Sequence, residues 1–357
     1  MVMTGPWLLY GANGYTGELV ARLAAARGHR PILAGRRADE ICALAEELRL
    51  ERRLFSLDEP ARIDEGLGGM SLVLHCAGPF SRTSKAMADA CLRTRTHYLD
   101  VTGEVEVFEA LAARDAEARA AGVMLLPGSG FDVVPSDCLA LHLKNRLPGA
   151  RRLALAYAGF GRVSRGTATT AIEGLGRGGL VRRGGVLTPV PSAWKTRRID
   201  FGEGERAAIT IPLGDLSTAW HSTGIPDIEL YFAAPLGVRA LALASRYLGP
   251  VLGSAAVRRF LTARVRAGAP GPTEDERRRG RAFVWGEVED DEGRRAVSRL
   301  ATPEGYTFTA RAALAVVDRV LAGQAPAGFQ TPAKAYGPDF VLGIEGVTRT
   351  DLDGVRS

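Results

Sequence analysis

Cysteine is scarce in this chain and follows no ligand pattern. Cys42, Cys76, Cys91 and Cys138 form no CxxC pair and have no histidine at metal-ligand spacing, so reduced thiols and no metal are expected. Aromatic residues make up only 7% of the sequence and are not interleaved with basic ones. The formal net charge is +6, yet Lys and Arg are scattered among acids, which argues against nucleic acid as a partner. Even the densest cluster, residues 274–281, mixes both signs and reads as a charged surface turn or helix. No basic region followed by a long apolar core opens the sequence, so no secretory signal is in view and a cytoplasmic address is expected. Long apolar runs are also missing. The best candidate, Pro235 to Gly253, is interrupted by Arg239, Arg246 and glycine, which argues against a membrane span. It reads as a buried or dimer-forming helix, with peripheral membrane contact as the alternative.

What the chain has in quantity is glycine, 43 residues of it, and three fall in an informative place. The run Leu8-Leu9-Tyr10-Gly11-Ala12-Asn13-Gly14-Tyr15-Thr16-Gly17 ends an apolar strand in a GxxGxxG turn that opens a helix. Gly11 permits the tight turn, Gly14 lets backbone approach a pyrophosphate, and Gly17 lets the helix pack close to the sheet. The phosphates would sit on the free N–H groups and positive dipole end of that helix. Three spaced glycines alone are weak evidence; the strand before them and the apolar helix pattern to Gly28 carry the reading. Pro31 to Arg37 then reads as a second strand, whose end faces the ribose of a bound dinucleotide. An NAD site places a carboxylate there. Here Arg36 and Arg37 supply forks for a 2′-phosphate, so NADP(H) is the expected cofactor, a solvated helix start being the competing reading.

At 357 residues the chain has room for two domains. Strand and helix patterns alternate through the first part: strands are expected at Leu54 to Leu57, Leu72 to Ala77, Tyr98 to Val101 and Val123 to Leu126, with a helix from Val105 to Ala121. This is the pattern of an N-terminal Rossmann-type, doubly wound parallel sheet over residues 1–150. Ligands bind such sheets beyond the carboxyl ends of the strands, which singles out the tails at Asp58, Gly78-Pro79, Thr102 to Glu104 and Pro127 to Asp132. From residue 151 to 357 the texture favours a second α+β domain on a mostly antiparallel sheet, with its C-terminal tail returning to the first domain. Strands are expected there at Arg152 to Phe160, Gly185 to Val190, Ala207 to Ile211, Glu229 to Ala233, Phe283 to Glu289 and Glu304 to Thr309, and helices at Thr167 to Leu175 and Ala310 to Leu321. A homodimer joined through this second domain is expected, since its sheet has a face to cover.

Four segments in order, Gly11 to Gly17, Ala34-Gly35-Arg36-Arg37, His75 to Phe80 and Gly130 to Asp137, resemble the saccharopine dehydrogenase-like oxidoreductases. The likeness is strongest to the branch that includes bacterial trans-acting enoyl reductases; it is clear over residues 1–140 and weaker beyond, with an echo at Gly328 to Ala333. The resemblance implies that Gly11, Asn13, Gly14, Tyr15, Thr16 and Gly17 hold the pyrophosphate, that Arg36 and Arg37 hold the 2′-phosphate and that Asp58 lies near the adenine. It also implies that Ala77, Gly78 and Pro79 line the ribose–nicotinamide side, although a Gly-Pro turn that merely ends a strand has the same residues.

Hydride transfer asks the protein mainly for positioning, a donor to the developing oxyanion and a proton source. Tyr98, Asp132, Thr167 and Thr170 are the catalytic candidates, with helix capping the competing role for Asp132 and core packing for Tyr98. Three functions fit these residues. The first is an NADPH-dependent reductase of an apolar, free or carrier-bound, enoyl or carbonyl substrate. The second is a saccharopine-type C–N oxidoreductase using Arg162, Arg165 and Arg177 for substrate carboxylates. The third is a non-enzymatic NADP(H)-binding regulator.

Overall fold

The structure is a computed structural model that describes residues 5–159 and 161–352, without the side chains of residues 249 and 250. The chain divides into two compact units. The first holds the chain up to Val134 together with Tyr306–Tyr336; the second holds Pro135–Gly305 and the residues from Gly337 onward. The division thus falls after Val134, where sequence puts a boundary at 150.

In the first unit, strands and helices alternate as β1 (Trp7–Tyr10), α1 (Tyr15–Ala26), β2 (Ile32–Gly35), α2 (Ala38–Leu48), β3 (Arg52–Leu54), α3 (Pro60–Leu67), β4 (Leu72–His75), α4 (Phe80–Thr94), β5 (His97–Asp100), α5 (Val105–Ala112), α6 (Asp115–Ala121) and β6 (Met124–Leu126). A later strand, Gly328–Phe329, joins β6 at the sheet edge, giving a seven-stranded parallel sheet in the order Gly328–Phe329, β6, β5, β4, β1, β2, β3. Every residue of β1, β2, β4 and β6 is buried, as a parallel sheet covered on both faces requires. The order of the strands reverses between β1 and β4, and a crevice for a ligand opens at such a switch point.

The second unit contains α7 (Val134–Arg146), β7 (Arg152–Ala158), α8 (Arg165–Gly174), β8 (Gly179–Arg183), β9 (Val186–Val190), β10 (Thr196–Asp200), β11 (Glu205–Thr210), α9 (Asp215–Thr223), β12 (Asp227–Phe232), α10 (Leu236–Leu252), α11 (Ala255–Ala267), α12 (Glu274–Arg279), β13 (Arg281–Glu289) and β14 (Arg295–Pro303). Then α13 (Gly305–Leu321), β15 (Gly328–Phe329, the edge strand above) and α14 (Pro332–Tyr336) belong to the first unit from Tyr306 on, and β16 (Thr348–Leu352) ends the second. The second sheet is mostly antiparallel, β7 and β12 being its parallel pair. It curls strongly. Arg197 on β10 reaches Glu287 on β13 at 2.8 Å and lies over the Trp285 ring at 4.6 Å, although three strands separate β10 from β13. The curl shelters Ala156, Ile199, Phe201, Ala208, Tyr231 and Val297 on one face, while Leu139 and Leu143 of α7 pack against Gly286 and Leu155 on the other.

Three expectations need correction. The stretch Glu304 to Thr309 is not a strand but the start of α13, because the burial of Phe308, Thr309, Ala312, Ala313 and Val316 follows the helical repeat and not a period of two. The third strand lies at Arg52–Leu54 rather than Leu54 to Leu57. Phe55 carries the apolar signal there because it packs after the strand, 5.0 Å from the Tyr10 ring and against Gly66. The single helix expected from Val105 to Ala121 is two, α5 and α6, separated at Ala113 and Arg114. Phe160, the expected end of β7, lies outside the described residues.

His75 closes β4 inside the first core, fully buried, with its ring 5.5 Å from that of Tyr10 and 5.4 Å from that of Phe80. Burial pushes its pKa down to about 3 from the usual 6.5. The unfolded chain therefore binds a proton that the folded one refuses, and the stability this neutral ring contributes, complete above pH 6.5, is lost as pH falls toward 3. Thr83, its hydrogen-bond partner at 2.9 Å, also donates to Ala77 O and Pro79 O, so replacement of the ring does not orphan the hydroxyl. His75→Phe is expected to gain melting temperature relative to the wild type progressively as pH falls from 6.5 to 4. A difference that stays constant over that interval would refute the titration of His75.

Candidate functional site

Gly11 follows β1 with φ at +80°, a left-handed conformation that side chains disfavour. A Cβ there would come within 2.8 Å of both the Cβ and the N of Ala77, the residue two after β4. The two strand tails therefore touch at the switch point, and only glycine permits it. At Gly17 a Cβ would lie 2.2 Å from Gly11 O and 2.9 Å from the Ala12 Cα, so α1 packs on the turn at backbone distance. Gly14 differs: its φ of −80° suits any residue, and a Cβ would meet only Gly11 O, at 3.3 Å. It is the N-cap of α1, with no side-chain cap bond, so the helix presents its first N–H groups past a residue with no side chain. Such a cradle is matched to an anion.

The second strand tail extends the cradle. Asn13 Nδ2 donates to Glu40 Oε2 at 2.8 Å, and Arg37 pairs with Glu40 Oε1 at 2.6 Å, so one carboxylate of α2 ties the glycine turn to the end of β2. Glu40 lies in the acidic first turn of α2. Arg36 is exposed and enters no salt bridge among the described residues, which leaves its guanidinium available for an incoming phosphate. Tyr15 stacks edge-on with Tyr306 at 5.0 Å. Thr16 lies in the first turn of α1, and Asp58, exposed after β3, accepts from Ser56 Oγ at 2.6 Å. Gly78 and Pro79 are joined by a cis peptide bond, and Pro79 is the N-cap of α4. The first N–H groups of α4, those of Phe80 and Ser81, donate to Glu104 at 2.8 and 2.9 Å, so a carboxylate from the β5 tail already fills that helix start.

The tails of β5 and β6 are organised by Asp100. Fully buried, it accepts from the Tyr98 hydroxyl at 2.6 Å, the Thr102 N–H at 2.9 Å and the Gly128 N–H at 2.8 Å. Burial pushes its carboxyl up to about 6 against the downward pull of these donors. Tyr98 is itself wholly buried, so its hydroxyl serves Asp100 and is not offered to a ligand; the packing reading is the one the structure supports. Asp132, by contrast, is half-buried at the end of the Gly128–Asp132 loop, with its Oδ2 so close to Gly103 that a Cβ there would stand 2.9 Å away. Burial pushes its pKa up to about 6. The loop is held from α13: Phe131 N–H donates to Thr309 Oγ1 at 3.0 Å, and Phe131 meets the Phe308 ring edge-on at 5.6 Å.

Residues 7–126, from the start of β1 to the end of β6, match the saccharopine dehydrogenase NADP-binding domain family. The chain carries a saccharopine dehydrogenase NADP-binding domain. NADP(H), expected from Arg36 and Arg37, is the cofactor of this domain. A saccharopine dehydrogenase-like oxidoreductase of Mus musculus is 27% identical over 213 residues, which cover 52% of this chain and 50% of that protein. A trans-acting enoyl reductase of Mycobacterium leprae is 31% identical over 148 residues, 39% of this chain and 35% of that protein. The chain thus spans at most half the length of these curated relatives. The fold is similar to that of a saccharopine dehydrogenase (L-Glu forming) from Saccharomyces cerevisiae, with a TM-score of 0.65 over 98% of this chain and 100% of that one, at 13% identity.

The surroundings of Arg36 and Arg37 differ. Arg37 pairs with Glu40, so if these arginines meet a 2′-phosphate, Arg36 is the one expected to supply the stronger charge-assisted bond. Arg36→Ala is expected to weaken NADPH binding about tenfold to a hundredfold and leave NADH binding nearly unchanged, with Arg37→Ala weaker in effect. Equal losses for both nucleotides, measured by fluorescence titration, would refute this assignment.

In the second unit, Thr167 is exposed in the first turn of α8, its N–H donating to the N-cap Ser164 Oγ at 3.2 Å, and Thr170 is half-buried one turn on. Thr167 is thus part of a capping arrangement. The same unit has a buried polar network whose connections through Asp215 and Ser222 no sequence pattern shows: Tyr157 OH donates to Asp215 Oδ2 at 2.7 Å, Ser136 Oγ donates to Asp215 Oδ1, and Ser222 Oγ donates to Asp137 at 2.5 Å. It binds α7, β7 and α9 together. A cavity of about 620 Å³ lies on the curled sheet; Arg152, Lys195 and Arg197 in its wall meet Glu289, Glu229 and Glu287, while Arg182, Arg183 and Arg295 also line it, so its cations outnumber its carboxylates.

Proposed function

We propose that the chain is an NADPH-dependent reductase of an apolar acyl substrate, free or carrier-bound, and that its leading reaction is reduction of a double bond conjugated to a carbonyl. The observation that carries the proposal is Asp132, a carboxyl kept near pKa 6 by burial, on the β6 tail of the unit whose glycine cradle fits NADP(H). When bound, NADPH supplies the hydride. The chain's residues do the rest: Gly11, Gly14, Gly17 and the first N–H groups of α1 hold the pyrophosphate, and Arg36 holds the 2′-phosphate. Asp132 gives a proton to the substrate atom on which negative charge develops, and Asp100, oriented by Tyr98, fixes the loops on either side of it. The enoyl preference is supported by the name of the mycobacterial relative.

The C–N oxidoreductase reading has the support of the mouse relative's name. It needs free cations for substrate carboxylates, and two of those nominated are engaged: Arg162 lies 3.6 Å from Glu276, and Arg165 donates to Gly268 O. The deciding experiment follows NADPH consumption with a long-chain enoyl thioester and, separately, with a keto acid plus lysine. Turnover of the thioester alone supports the proposal; turnover of the keto acid with amine alone overturns it.

A further inference from the structure

The stretch expected to be a buried or dimer-forming helix is, in the folded chain, exposed along much of its length. Along α10, Leu236 is 74% and Tyr247 86% exposed, and Val238, Leu241, Leu243, Leu248 and Val251 are exposed as well. Leu236, Leu243, Tyr247 and Val251 stand at spacings of seven, four and four on one face; Leu241 and Leu248, seven apart, adjoin it. The apolar surface therefore wraps more than half of the helix. The next helix, α11, has no buried residue, and Phe260 on it is 64% exposed. An apolar area of this extent on a chain's surface marks something it docks on.

Charge says what. From Leu230 to Thr273 the sequence contains no Asp or Glu and six arginines, at 239, 246, 258, 259, 264 and 266. Three of these have other duties or partial cover: Arg246 donates to Ser192 O, Arg258 donates to Leu175 O, and Arg239 is half-buried. Arg259, Arg264 and Arg266 are exposed and enter no salt bridge among the described residues, and Arg264 follows Phe260 by one turn. An exposed apolar helix beside an uncompensated basic one is the composition of an element that lies in a bilayer interface and faces anionic headgroups. A second copy of the chain is a poor occupant, because it would set arginine against arginine with no carboxylate in the segment to compensate. Nor can α10 cross the bilayer: no described helix is long and apolar enough.

We infer that α10 and α11 form a peripheral docking surface for an anionic lipid bilayer, with α10 lying in the interface and Arg259, Arg264 and Arg266 on the phosphate headgroups. The inference does not depend on the identity of the reaction. It is tested by flotation of the full chain with vesicles of phosphatidylcholine alone or mixed with phosphatidylglycerol, at low and high salt. Two variants are enough: L241S/Y247S/L248S removes the apolar face, and R259Q/R264Q/R266Q removes the charge. Each exposed cation near an anionic surface strengthens binding about fivefold, so the arginine variant is expected to bind mixed vesicles about a hundredfold more weakly. The serine variant should lose flotation on both compositions. Both variants should keep the wild type's circular dichroism spectrum and cooperative melting, which shows that they fold. Flotation of the wild type that is absent, or equal on the two vesicle types, overturns the inference. So does light scattering that finds a dimer which the serine variant dissolves, since the helices would then cover each other.

Discussion

Gly14→Val is expected to leave the protein folded and abolish NADPH binding, whereas Gly17→Val is expected to unfold the nucleotide-binding unit. Both glycines belong to one turn, and the contrast follows from what surrounds them. At Gly14 the backbone conformation is ordinary, and the nearest atom to an added Cβ is Gly11 O at 3.3 Å, a contact relieved by a shift of a few tenths of an ångström. A poorer N-cap costs about 1 kcal/mol, or roughly 2–4 °C of melting temperature for a unit of this size. On the proposed pyrophosphate site, however, a valine at this N-cap would crowd a phosphate on the α1 N–H groups, and affinity should fall at least about a hundredfold. At Gly17 the clash is with backbone, 2.2 Å from Gly11 O and 2.9 Å from the Ala12 Cα, and nothing flexible can yield. Overpacking of this kind costs about 3 kcal/mol or more, and the first unit should melt roughly 10 °C lower. Calorimetry and NADPH titration separate the two. Wild-type affinity in Gly14→Val would show that the phosphates sit elsewhere, and wild-type melting in Gly17→Val would show that α1 does not depend on its close approach to the turn.

The first sheet was legible where its strands are buried on both faces, in β1, β2, β4 and β6, and misread at β3, which is not. Trp7–Tyr10 and Leu72–His75 read as largely apolar runs, each followed by a glycine turn, and those turns are the candidate site. The second sheet hid much of itself. Strands β8, β10 and β14 carry arginines, among them Arg182, Arg197, Arg295 and Arg299, and the alternation of apolar residues is broken wherever an arginine lies along the sheet and meets a carboxylate, as Arg295 meets Glu289 and Arg299 meets Asp200. Long-range support was invisible for a different reason. Thr309, which holds the Asp132 loop through Phe131, is 178 residues away in sequence, and no local pattern reports such a contact. Tyr98 was nominated because it lies at a strand tail beside chemistry-bearing residues. What sequence could not supply is that Asp100, two residues on and on the same face of β5, takes up its hydroxyl.

Asp132→Asn is expected to lower turnover about a hundredfold or more, the usual contribution of a positioned proton donor, while NADPH affinity stays at the wild-type value. Asparagine keeps the shape of the side chain beside Gly103 and removes only the transferable proton, so a loss of folding is not expected to obscure the result. The pH dependence is directional. In the proposed reaction Asp132 would act in its protonated form, and with its pKa pushed up to about 6, kcat/KM should hold below that pH and decline as pH rises through it; the variant should lack this limb. Stability gives an independent reading of the same group. Because the folded pKa lies above the ordinary 3.8, the stability that Asp132 contributes is present below pH 3.8 and is lost as pH rises through 6. The asparagine variant should therefore melt above the wild type at pH 7 to 8, and the gap should close by about pH 4. An unchanged rate, or a basic limb that survives the substitution, would remove Asp132 from the reaction. A melting difference indifferent to pH would remove the cause assigned to its raised pKa, since only a carboxylate held out of water is destabilised by losing its proton.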